Sequence, residues 1–405
     1  MIPRKEYLDF LISVKNLQLI KVISGIRRCG KSTLFELYRD YLLAQNIDDE
    51  QLIFINFEDL AYDSLRDYKL LHAYIKPKIN ADKMTYIFLD EIQHVSEFER
   101  VVDSLFIQKN VDIYITGSNA YFMSGELATL LSGRYIELKM LPLSFGEYCI
   151  GEPSNRTVSE KYSRYLMNSS FPYTVQLGDQ RKIIVDYLQG LYNTVILKDV
   201  IARYKITDVM MLEDVAKFLF DNIGNQTSIT KVANTMTSHG RKIDPKTVEK
   251  YVKALSDSLI IYKAKRYNIK GKQYLKTLGK YYVVDIGLRY MLLGQRNTDI
   301  GHILENIIYL ELIRRGYDVY VGQVGDLEVD FVAMNSESTI YYQVAATVRE
   351  ELTLKRELAP LQKINDHYPK FILTLDDDPE ADYDGIRRIN ALSFLLDCGD
   401  KITII

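Results

Sequence analysis

The sequence of 405 residues has three cysteines and no long apolar run. Cys29, Cys149 and Cys398 are far apart and form no CxxC pair, so we expect no disulfide framework and a reducing compartment. No stretch of about 18 apolar residues occurs that could cross a membrane as a helix. The first residues also lack the uninterrupted apolar segment of a signal peptide. These absences predict a cytoplasmic protein without a membrane partner.

The composition is that of an ordinary globular protein, with 47% apolar and 26% charged residues. The length suggests two or three domains. The net charge is −3, but residues 226–276 hold 12 Lys or Arg against three acids, and residues 376–384 hold six acids. The basic segment is a candidate nucleic-acid footprint, whereas an acidic stretch is typical of a solvated loop.

Short apolar runs alternate with helix-like stretches in the amino-terminal part of the chain. The runs cover residues 19–24, 51–57, 85–91 and 111–118 and are rich in Ile, Tyr and Phe. Strands that alternate with helices predict an α/β fold with a parallel sheet and helices on both faces. Residues 182–220 follow with apolar positions at helical spacing, which predicts a mostly helical region.

Residues 25–32 match the pattern GxxxxGK[ST] between a predicted strand and a predicted helix. Its glycines allow backbone N–H groups to approach phosphates, and the following helix points its positive end at the anion. Lys31 is expected to reach the β- and γ-phosphates, and the Ser32 hydroxyl to bind Mg²⁺. We therefore predict an ATP and Mg²⁺ site formed by Gly25, Ile26, Arg27, Arg28, Cys29, Gly30, Lys31, Ser32 and Thr33.

Two acids end the third apolar run, at Asp90 and Glu91. A buried strand that ends in carboxylates delivers them to the edge of an α/β sheet where ligands bind. Asp90 is expected to hold Mg²⁺ through its water shell, and Glu91 to polarise the attacking water. A strand that simply ends in polar residues is the alternative, which a P-loop in the same sheet disfavours.

Further polar residues follow the fourth run. Ser118 and Asn119 are both candidates to contact the γ-phosphate or the water, and the sequence does not choose between them. Arg134, after the next helix, is a candidate to neutralise charge in the transition state, in its own subunit or in a neighbour's. An ordinary structural arginine is the alternative. If Arg134 acts in the site of a neighbouring subunit, the protein forms a ring or a dimer.

The basic segment has the pattern of a winged helix-turn-helix, two short helices and then a hairpin. Ser228 is placed to cap the first helix and Asp244 the second, which Pro245 begins. Basic side chains on the second helix, away from its apolar stripe, and on the hairpin are candidate contacts to double-stranded DNA. They are Lys246, Lys250 and Lys253 on the helix and Lys265, Arg266 and Lys270 on the hairpin. Winged helices also pack against proteins, so a protein partner remains the alternative.

The motifs GIRRCGKST, FLDEIQHV, ITGSN, LSGRY and LPLSFGEY, in this order, resemble prokaryotic AAA-type ATPases with a C-terminal domain of unknown function. VILKDVIARYKI, TVEKYVKALSDSLIIY, KYYVVDIGLR and LEVDFV resemble that C-terminal domain. The resemblance implies the nucleotide-site roles of Lys31, Ser32, Asp90 and Glu91, and a winged helix in the second half. The chain departs from the family at residues 168–173, NSSFPY, where a glycine pair often precedes Phe-Pro, which leaves the conformation of this turn open.

The last block resembles a restriction-endonuclease-like core that has lost residues of its metal site. Glu305 on a helix and Asp330 on a strand stand where that pattern has carboxylates, but Gln343 replaces the second strand acid and Ala345 the lysine. We therefore expect a domain that does not cleave DNA. The alternative is that Glu305 and Asp330 cap or pair at the surface of an ordinary α/β core.

The sequence thus predicts an ATPase domain over residues 1–150, a helical linker over 151–225, a winged helix over 226–276 and a nuclease-like domain over 277–405. The leading hypothesis is an ATPase whose nucleotide state repositions the C-terminal region on DNA or on a protein partner. One alternative is an ATP-dependent nuclease or defence effector, which Gln343 and Ala345 disfavour. Another is a DNA-binding regulator that senses nucleotide with little turnover, which Glu91 disfavours.

Overall fold

The structure is a computed structural model, and it describes residues 1–118, 131, 133–295 and 299–397. The chain divides into two compact units, Met1–Pro142 and Leu143–Ile405. The first unit therefore ends eight residues before the boundary that the sequence suggested, and the second contains all three of the later predicted parts. No helix in the described ranges is long and apolar enough to span a membrane.

The first unit is built on a parallel five-stranded sheet in the order β2-β3-β4-β1-β5. This confirms the predicted α/β fold. The first four strands are those the apolar runs predicted, whereas β5 was not predicted. The strands are β1 (Ile20–Gly25), β2 (Leu52–Asn56), β3 (Thr85–Asp90), β4 (Val111–Ser118) and β5 (Tyr135–Met140). The helices are α1 (Lys5–Ser13), α2 (Lys31–Ala44), α3 (Tyr68–Ile75) and α4 (Phe98–Phe106).

The centre of this sheet is buried on both sides. Every residue of β1 and of β3 is buried, as expected of parallel strands covered by helices on both faces. On one face, the rings of Phe54, Phe88 and Tyr114 stack across three neighbouring strands, with centroids 4.2 and 4.8 Å apart. Tyr38 of α2 packs on Tyr114 at 5.2 Å. This packing fixes α2, and hence the loop that precedes it, against the sheet.

The second unit begins with helices and ends with an α/β layer. Its helices are α5 (Phe145–Gly151), α6 (Val158–Asn168), α7 (Pro172–Gln176), α8 (Arg181–Thr194), α9 (Val209–Asp221), α10 (Ile229–Ser238), α11 (Pro245–Asp257), α12 (Ile286–Leu293), α13 (Ile300–Arg314), α14 (Glu351–Gln362) and α15 (Ala391–Leu396). Residues Val195–Ala202 form a π-helix directly after α8. The predicted caps are confirmed, because Ser228 accepts from the Lys231 N–H, and Asp244 from those of Lys246 and Thr247.

An eight-stranded mixed sheet in the order β12-β13-β11-β10-β9-β8-β6-β7 forms the rest of this unit. Its strands are β6 (Ile261–Asn268), β7 (Gln273–Val283), β8 (Asp318–Val324), β9 (Leu327–Met334), β10 (Thr339–Ala345), β11 (Lys370–Thr374), β12 (Ala381–Tyr383) and β13 (Ile386–Asn390). The predicted hairpin is present as β6 and β7. Because β6 also pairs with β8 in parallel, this hairpin extends the sheet that we had assigned to a separate nuclease-like domain.

The turn at residues 168–173 adopts the backbone that a glycine would favour. Ser169 has φ 82°, and its chain lies against Gly287, where a Cβ atom would come within 2.6 Å of the Ser169 Cβ. The buried Asp285 carboxylate accepts the Ser170 N–H and hydroxyl, each at 2.7 Å. Ser169 thus adopts a positive φ without a glycine, and Asp285 supplies hydrogen bonds that hold the turn.

Candidate functional site

The P-loop joins the last residue of β1 to the first residue of α2. Gly30 has φ 104° and Arg28 φ 65°, so the chain turns through two left-handed positions before Lys31 begins the helix. A side chain at Gly25 is excluded, because a Cβ there would lie 2.5 Å from the Met140 carbonyl oxygen. These turns leave the first N–H groups of α2 without partners within the helix, which is the arrangement that binds phosphate.

Arg4 holds this loop from beneath, a contact that the sequence did not predict. Its guanidinium is buried and donates to the Cys29 carbonyl at 2.9 Å and to the Leu141 carbonyl at 2.7 Å. The partners lie 25 and 137 residues away in the sequence. Such a contact therefore needs the three-dimensional fold to be seen.

Lys31 is buried at the centre of the loop. Its ammonium donates to the Gly25 carbonyl at 3.2 Å and lies 3.8 Å from the Glu91 carboxylate. The structure therefore brings together the P-loop lysine and the predicted catalytic acid. The ammonium also donates to the Ile26 carbonyl at 3.5 Å, and a bound phosphate group can replace these contacts.

Asp90 and Ser32 meet at the carboxyl end of β3. The Asp90 carboxylate accepts hydrogen bonds from the Ser32 and Thr116 hydroxyls. Burial raises the pKa of this carboxyl, and the two hydrogen bonds act against that rise. Oxygen ligands of this kind suit Mg²⁺, and Ser32 is an exposed residue although Asp90 is buried.

Thr116 is the side chain of β4 that reaches the site. Its hydroxyl donates to Asp90 and accepts the Glu91 backbone N–H at 3.0 Å. Sequence reasoning considered Ser118 and Asn119 at this strand end instead. Ser118 is the last residue of β4, its side chain is not described, and Asn119 lies outside the described residues.

Glu91 stands in a left-handed conformation, φ 54°, which turns its side chain back toward the P-loop. The side chain of Gln93 donates a hydrogen bond to its carboxylate. Because a carboxylate only accepts, Gln93 must present its Nε2 atom to Glu91. Its Oε1 atom is then buried and has no hydrogen-bond partner among the described residues. Gln93 is a second site residue that the sequence analysis missed.

The other predicted P-loop residues line the turn in different ways. Arg28 is exposed, and Arg27 is half-buried with its guanidinium 3.9 Å from the Glu58 carboxylate. Ile26 and Cys29 are buried, and burial raises the pKa of the Cys29 thiol. Within the loop, these two side chains pack inward while the arginines face outward.

Arg134 lies at the end of the sheet where β1 and β5 begin, whereas the P-loop follows the last residue of β1. It precedes β5, its carbonyl accepts from the Ile20 N–H at the start of β1, and its guanidinium pairs with Asp103 at 2.7 Å. The P-loop begins at the other end of β1, roughly 17 Å away at the usual rise of a strand. Arg134 therefore does not reach the site of its own chain. Its pair with Asp103 agrees with the alternative of an ordinary structural arginine, and a role in a neighbouring subunit stays a prediction.

In the second unit, a lysine fills the cluster of carboxylates that resembles a nuclease site. The Lys280 ammonium lies 2.7 Å from Glu305, 2.8 Å from Glu328 and 3.4 Å from Asp330. Lys280 is on β7, Glu305 on α13, and both are buried. Burial and the neighbouring Asp330 raise the pKa of Glu305 to about 7, against the opposing effect of Lys280. The sequence analysis did not consider Lys280.

Gln343 does not face this cluster with a free amide. Its Nε2 donates to Glu357 at 2.8 Å, and its Oε1 accepts the Asp330 N–H at 3.3 Å. Among the described residues, no group of three or more His, Cys, Asp or Glu side chains is placed to hold a metal ion. Glu305 and Asp330 pair with Lys280, as the alternative interpretation expected, but they are buried and do not lie at the surface.

The candidate DNA-binding residues lie on α11 and on the hairpin. Lys246, Lys250 and Lys253 are exposed along α11, and Lys265 and Lys270 are exposed on and after β6. Arg266 is half-buried and donates to the Gln323 side chain at 3.0 Å. Helices α9, α10 and α11 pack against each other, and α11 packs on β6. One helix and one hairpin thus present cations to solvent.

Comparison with known proteins follows the division of the chain. A family described as an AAA domain matches residues 18–149, and a domain of unknown function (DUF8612) matches residues 159–299. The chain is 39% identical over 400 residues to an uncharacterized protein of Haemophilus influenzae, which covers 98% of this chain and 99% of that protein. It is 28% identical over 386 residues to an uncharacterized protein of Methanocaldococcus jannaschii, which covers 89% of this chain and 82% of that protein.

A solved structure shows the same fold. The Walker-type ATPase of Pyrococcus abyssi aligns with a TM-score of 0.50 at 15% identity, over 72% of this chain and 96% of that chain. The segment matched by the AAA domain contains all of the side chains assembled at the sheet edge, namely Lys31, Ser32, Asp90, Glu91 and Thr116.

Proposed function

Since this chain belongs to the family of the Haemophilus influenzae protein and carries an AAA domain at residues 18–149, we propose that it binds ATP with Mg²⁺ and hydrolyses it. One observation carries the proposal. Lys31, Asp90 and Glu91, from two separate segments, meet at one sheet edge beside a helix N-terminus. That is the set of groups that phosphoryl transfer requires.

Binding uses the P-loop backbone and Lys31. The free N–H groups at the start of α2 and the helix dipole attract the phosphates. Lys31 exchanges its contacts with Gly25 and Glu91 for the β- and γ-phosphate oxygens. Because the lysine is already buried in the loop, little side-chain entropy is lost when the phosphates arrive.

The donor set at Asp90 fits a magnesium ion. Ser32 would hold the ion directly through its hydroxyl, and Asp90 through water molecules, with Thr116 fixing the carboxylate. When bound, Mg²⁺ neutralises charge that develops on the β- and γ-phosphates. The hydrogen bonds from Ser32 and Thr116 favour the ionised form of Asp90 that such an ion needs.

Glu91 polarises the attacking water in the proposed reaction. Its carboxylate is released from Lys31 once that lysine binds phosphate, while Gln93 still holds its other oxygen. A pure nucleotide sensor has no need of an acid so placed. This arrangement supports turnover over the alternative of a regulator that binds nucleotide without hydrolysis.

A second proposal concerns the C-terminal unit, which we infer to act on nucleic acid in a nucleotide-dependent way. It is supported by the packing of α9, α10 and α11 with the β6–β7 hairpin, the arrangement of a winged helix, and by the exposed lysines on α11. Lysines favour phosphate contacts over base reading, so the binding is weakly sequence-specific. The nuclease alternative has less support, because the Lys280 ammonium occupies its carboxylate cluster.

The test is release of phosphate from Mg-ATP by the purified full chain, with and without DNA, at low and moderate salt. Lys31→Ala is the control. Turnover by the wild type but not by the variant is expected, and stimulation that salt suppresses would support the nucleic-acid proposal. A wild-type rate equal to the Lys31→Ala background would reject hydrolysis, and turnover indifferent to DNA would favour a protein partner.

A further inference from the structure

Three tyrosine rings form an open cluster where the hairpin joins the sheet. Tyr267 is on β6, Tyr274 on β7 and Tyr320 on β8. Their ring centroids lie 5.5 Å apart for Tyr267 and Tyr274, 5.2 Å for Tyr274 and Tyr320, and 6.0 Å for Tyr267 and Tyr320. Tyr274 is 61% exposed, which is unusual for a ring with two aromatic neighbours. The cluster therefore presents an aromatic face to solvent.

The cluster lies on one face of the eight-stranded sheet. Tyr267 and Tyr320 pack at the border of the core that contains Val332 and Leu358, so they lie on the sheet face that α14 covers. Helix α14 packs on β9, β10, β11 and β13, whereas α11 packs on β6. The tyrosines thus lie on the α14 side of the sheet, on β6, β7 and β8, and we call the exposed surface of these three rings the tyrosine surface.

The charge beside the cluster is of one sign. Residues 263–272 contain five cations and no acid. Lys263, Lys265, Lys270 and Lys272 are all exposed, and together they follow β6 and the turn that leads to Tyr274. Lysine is depleted at the centres of protein interfaces, whereas nucleic-acid sites combine such cations with aromatic rings. The chemistry therefore favours a polyanion with flat, stackable groups.

We propose that the tyrosine surface binds single-stranded nucleic acid. It is formed by Tyr267, Tyr274 and Tyr320 and flanked by the hairpin lysines. Unpaired bases stack on the exposed ring of Tyr274, and the lysines contact the phosphates that follow. A duplex hides its base faces inside the stack, so only a single strand can use the ring. This specifies the nucleic-acid partner proposed above, and it does not depend on the ATP site.

The absence of tryptophan from the chain permits a direct test with the full-length protein. Tyr274→Trp places the chain's one tryptophan at the tyrosine cluster, where its emission can be excited apart from that of the tyrosines, and Tyr173→Trp places one at a matched site. Tyr173 is 49% exposed and also has a tyrosine neighbour, Tyr187, at 5.2 Å. An oligothymidine of about 15 nucleotides, close to the larger site sizes of single-strand folds, should quench emission from the first variant and leave the second unchanged. Equal or absent quenching in the two variants overturns the proposal.

Affinity measurements separate stacking from charge. Fluorescence anisotropy of the labelled oligonucleotide should show that Tyr274→Ala weakens binding by about 5- to 150-fold, while Tyr274→Phe keeps it. Lys265→Ala should weaken binding and reduce the slope of log K against log salt by about 0.7. Melting temperatures check that the variants fold, and Tyr274 is exposed enough for its replacement to be tolerated.

The same assays distinguish this proposal from the others. In one contrary outcome, a duplex of the same sequence binds more tightly than the single strand and is unaffected by Tyr274→Ala. That result would overturn the proposed single-strand site and leave the lysines of α11 as a duplex site. A chain that binds neither nucleic acid also overturns it and favours a protein partner. Phosphate release from ATP, measured on the same preparations, tests the ATPase proposal separately.

Discussion

The ammonium of Lys31 lies 3.8 Å from the carboxylate of Glu91, so the P-loop lysine and the predicted catalytic acid are partners. Both side chains are buried, and removal of one member of a buried ion pair destabilises the protein. In the proposed reaction, nucleotide binding gives Lys31 a new partner and frees Glu91, which links phosphate recognition to the acid that we propose activates water.

Replacing Thr116 with valine should impair metal binding and turnover. The hydroxyl fixes the Asp90 carboxylate and accepts the Glu91 N–H at 3.0 Å, and valine keeps the shape while removing both contacts. We expect a loss of about 10- to 100-fold in activity or in Mg²⁺ affinity, measured by phosphate release over a range of Mg²⁺ concentrations. Thr116→Ser retains the hydroxyl and should restore most of the rate. Wild-type magnesium dependence in Thr116→Val would contradict this role.

Gln93→Ala should lower kcat while the affinity for ATP is kept. Gln93 donates a hydrogen bond to Glu91, which is not one of the groups that bind phosphate in our proposal. Loss of the contact lets the carboxylate move, and a shift of about 1 Å can cost about 100-fold in rate. His94, exposed on the same turn, provides the control, and His94→Ala should change neither constant. A change in nucleotide affinity with kcat unaltered would show that Gln93 acts on binding instead.

Gly287→Ala should destabilise the second unit, whereas Gly190→Ala should not. A Cβ at Gly287 meets the backbone and Cβ of Ser169 at 2.6 to 2.8 Å, but one at Gly190, within α8, meets nothing within 4 Å. We expect a loss of about 1–3 kcal/mol or more for the first and a gain of about 0.5–1 kcal/mol for the second. Urea unfolding measures both free energies. Equal stability of the two variants would contradict the close approach at Ser169.

Lys280→Met should destabilise the protein, and more so at pH 8 than at pH 6. The change leaves Glu305, Glu328 and Asp330 without their cation, and removing one partner of a buried ion pair costs about 3–5 kcal/mol. Burial already raises the pKa of Glu305 to about 7, and the loss of the lysine raises it further.

The sign of the pH effect follows from that raised pKa. Between the unfolded pKa of a glutamate and the higher native one, only the native state holds the proton, so stability falls as pH rises. Unfolding in urea at the two pH values measures the effect, with Lys363→Met, an exposed lysine after α14, as the control. A variant as stable as the wild type at pH 8 would contradict the role of Lys280.

The sequence was sufficient to predict the parts of the site that are local. Lys31 and Ser32 begin the helix that follows β1 and the P-loop, and Asp90 and Glu91 stand at the end of β3, so motif and strand together predicted where they lie. Thr116 was missed in favour of Ser118 and Asn119, because the residue of β4 that faces Asp90 depends on the pairing of β4 with β3.

Long-range contacts were beyond the sequence analysis. Arg4 donates to the carbonyl of Cys29, 25 residues later in the sequence. Lys280 of β7 pairs with Glu305 of α13. The hairpin was predicted from its own residues, but its membership of the eight-stranded sheet depends on β8, some 50 residues later. Patterns of period two and 3.6 define elements and leave open which elements pair.

The most direct test of the account compares ATP binding and ATP hydrolysis in the wild type and in Glu91→Gln. Filter binding of radiolabelled Mg-ATP measures the first, and chromatography of the bound nucleotide measures the second. We predict that Glu91→Gln retains ATP unhydrolysed, with turnover about 100- to 10,000-fold below the wild type. Hydrolysis by Glu91→Gln at the wild-type rate, or a wild type that holds ATP without ever converting it, would contradict the central claim.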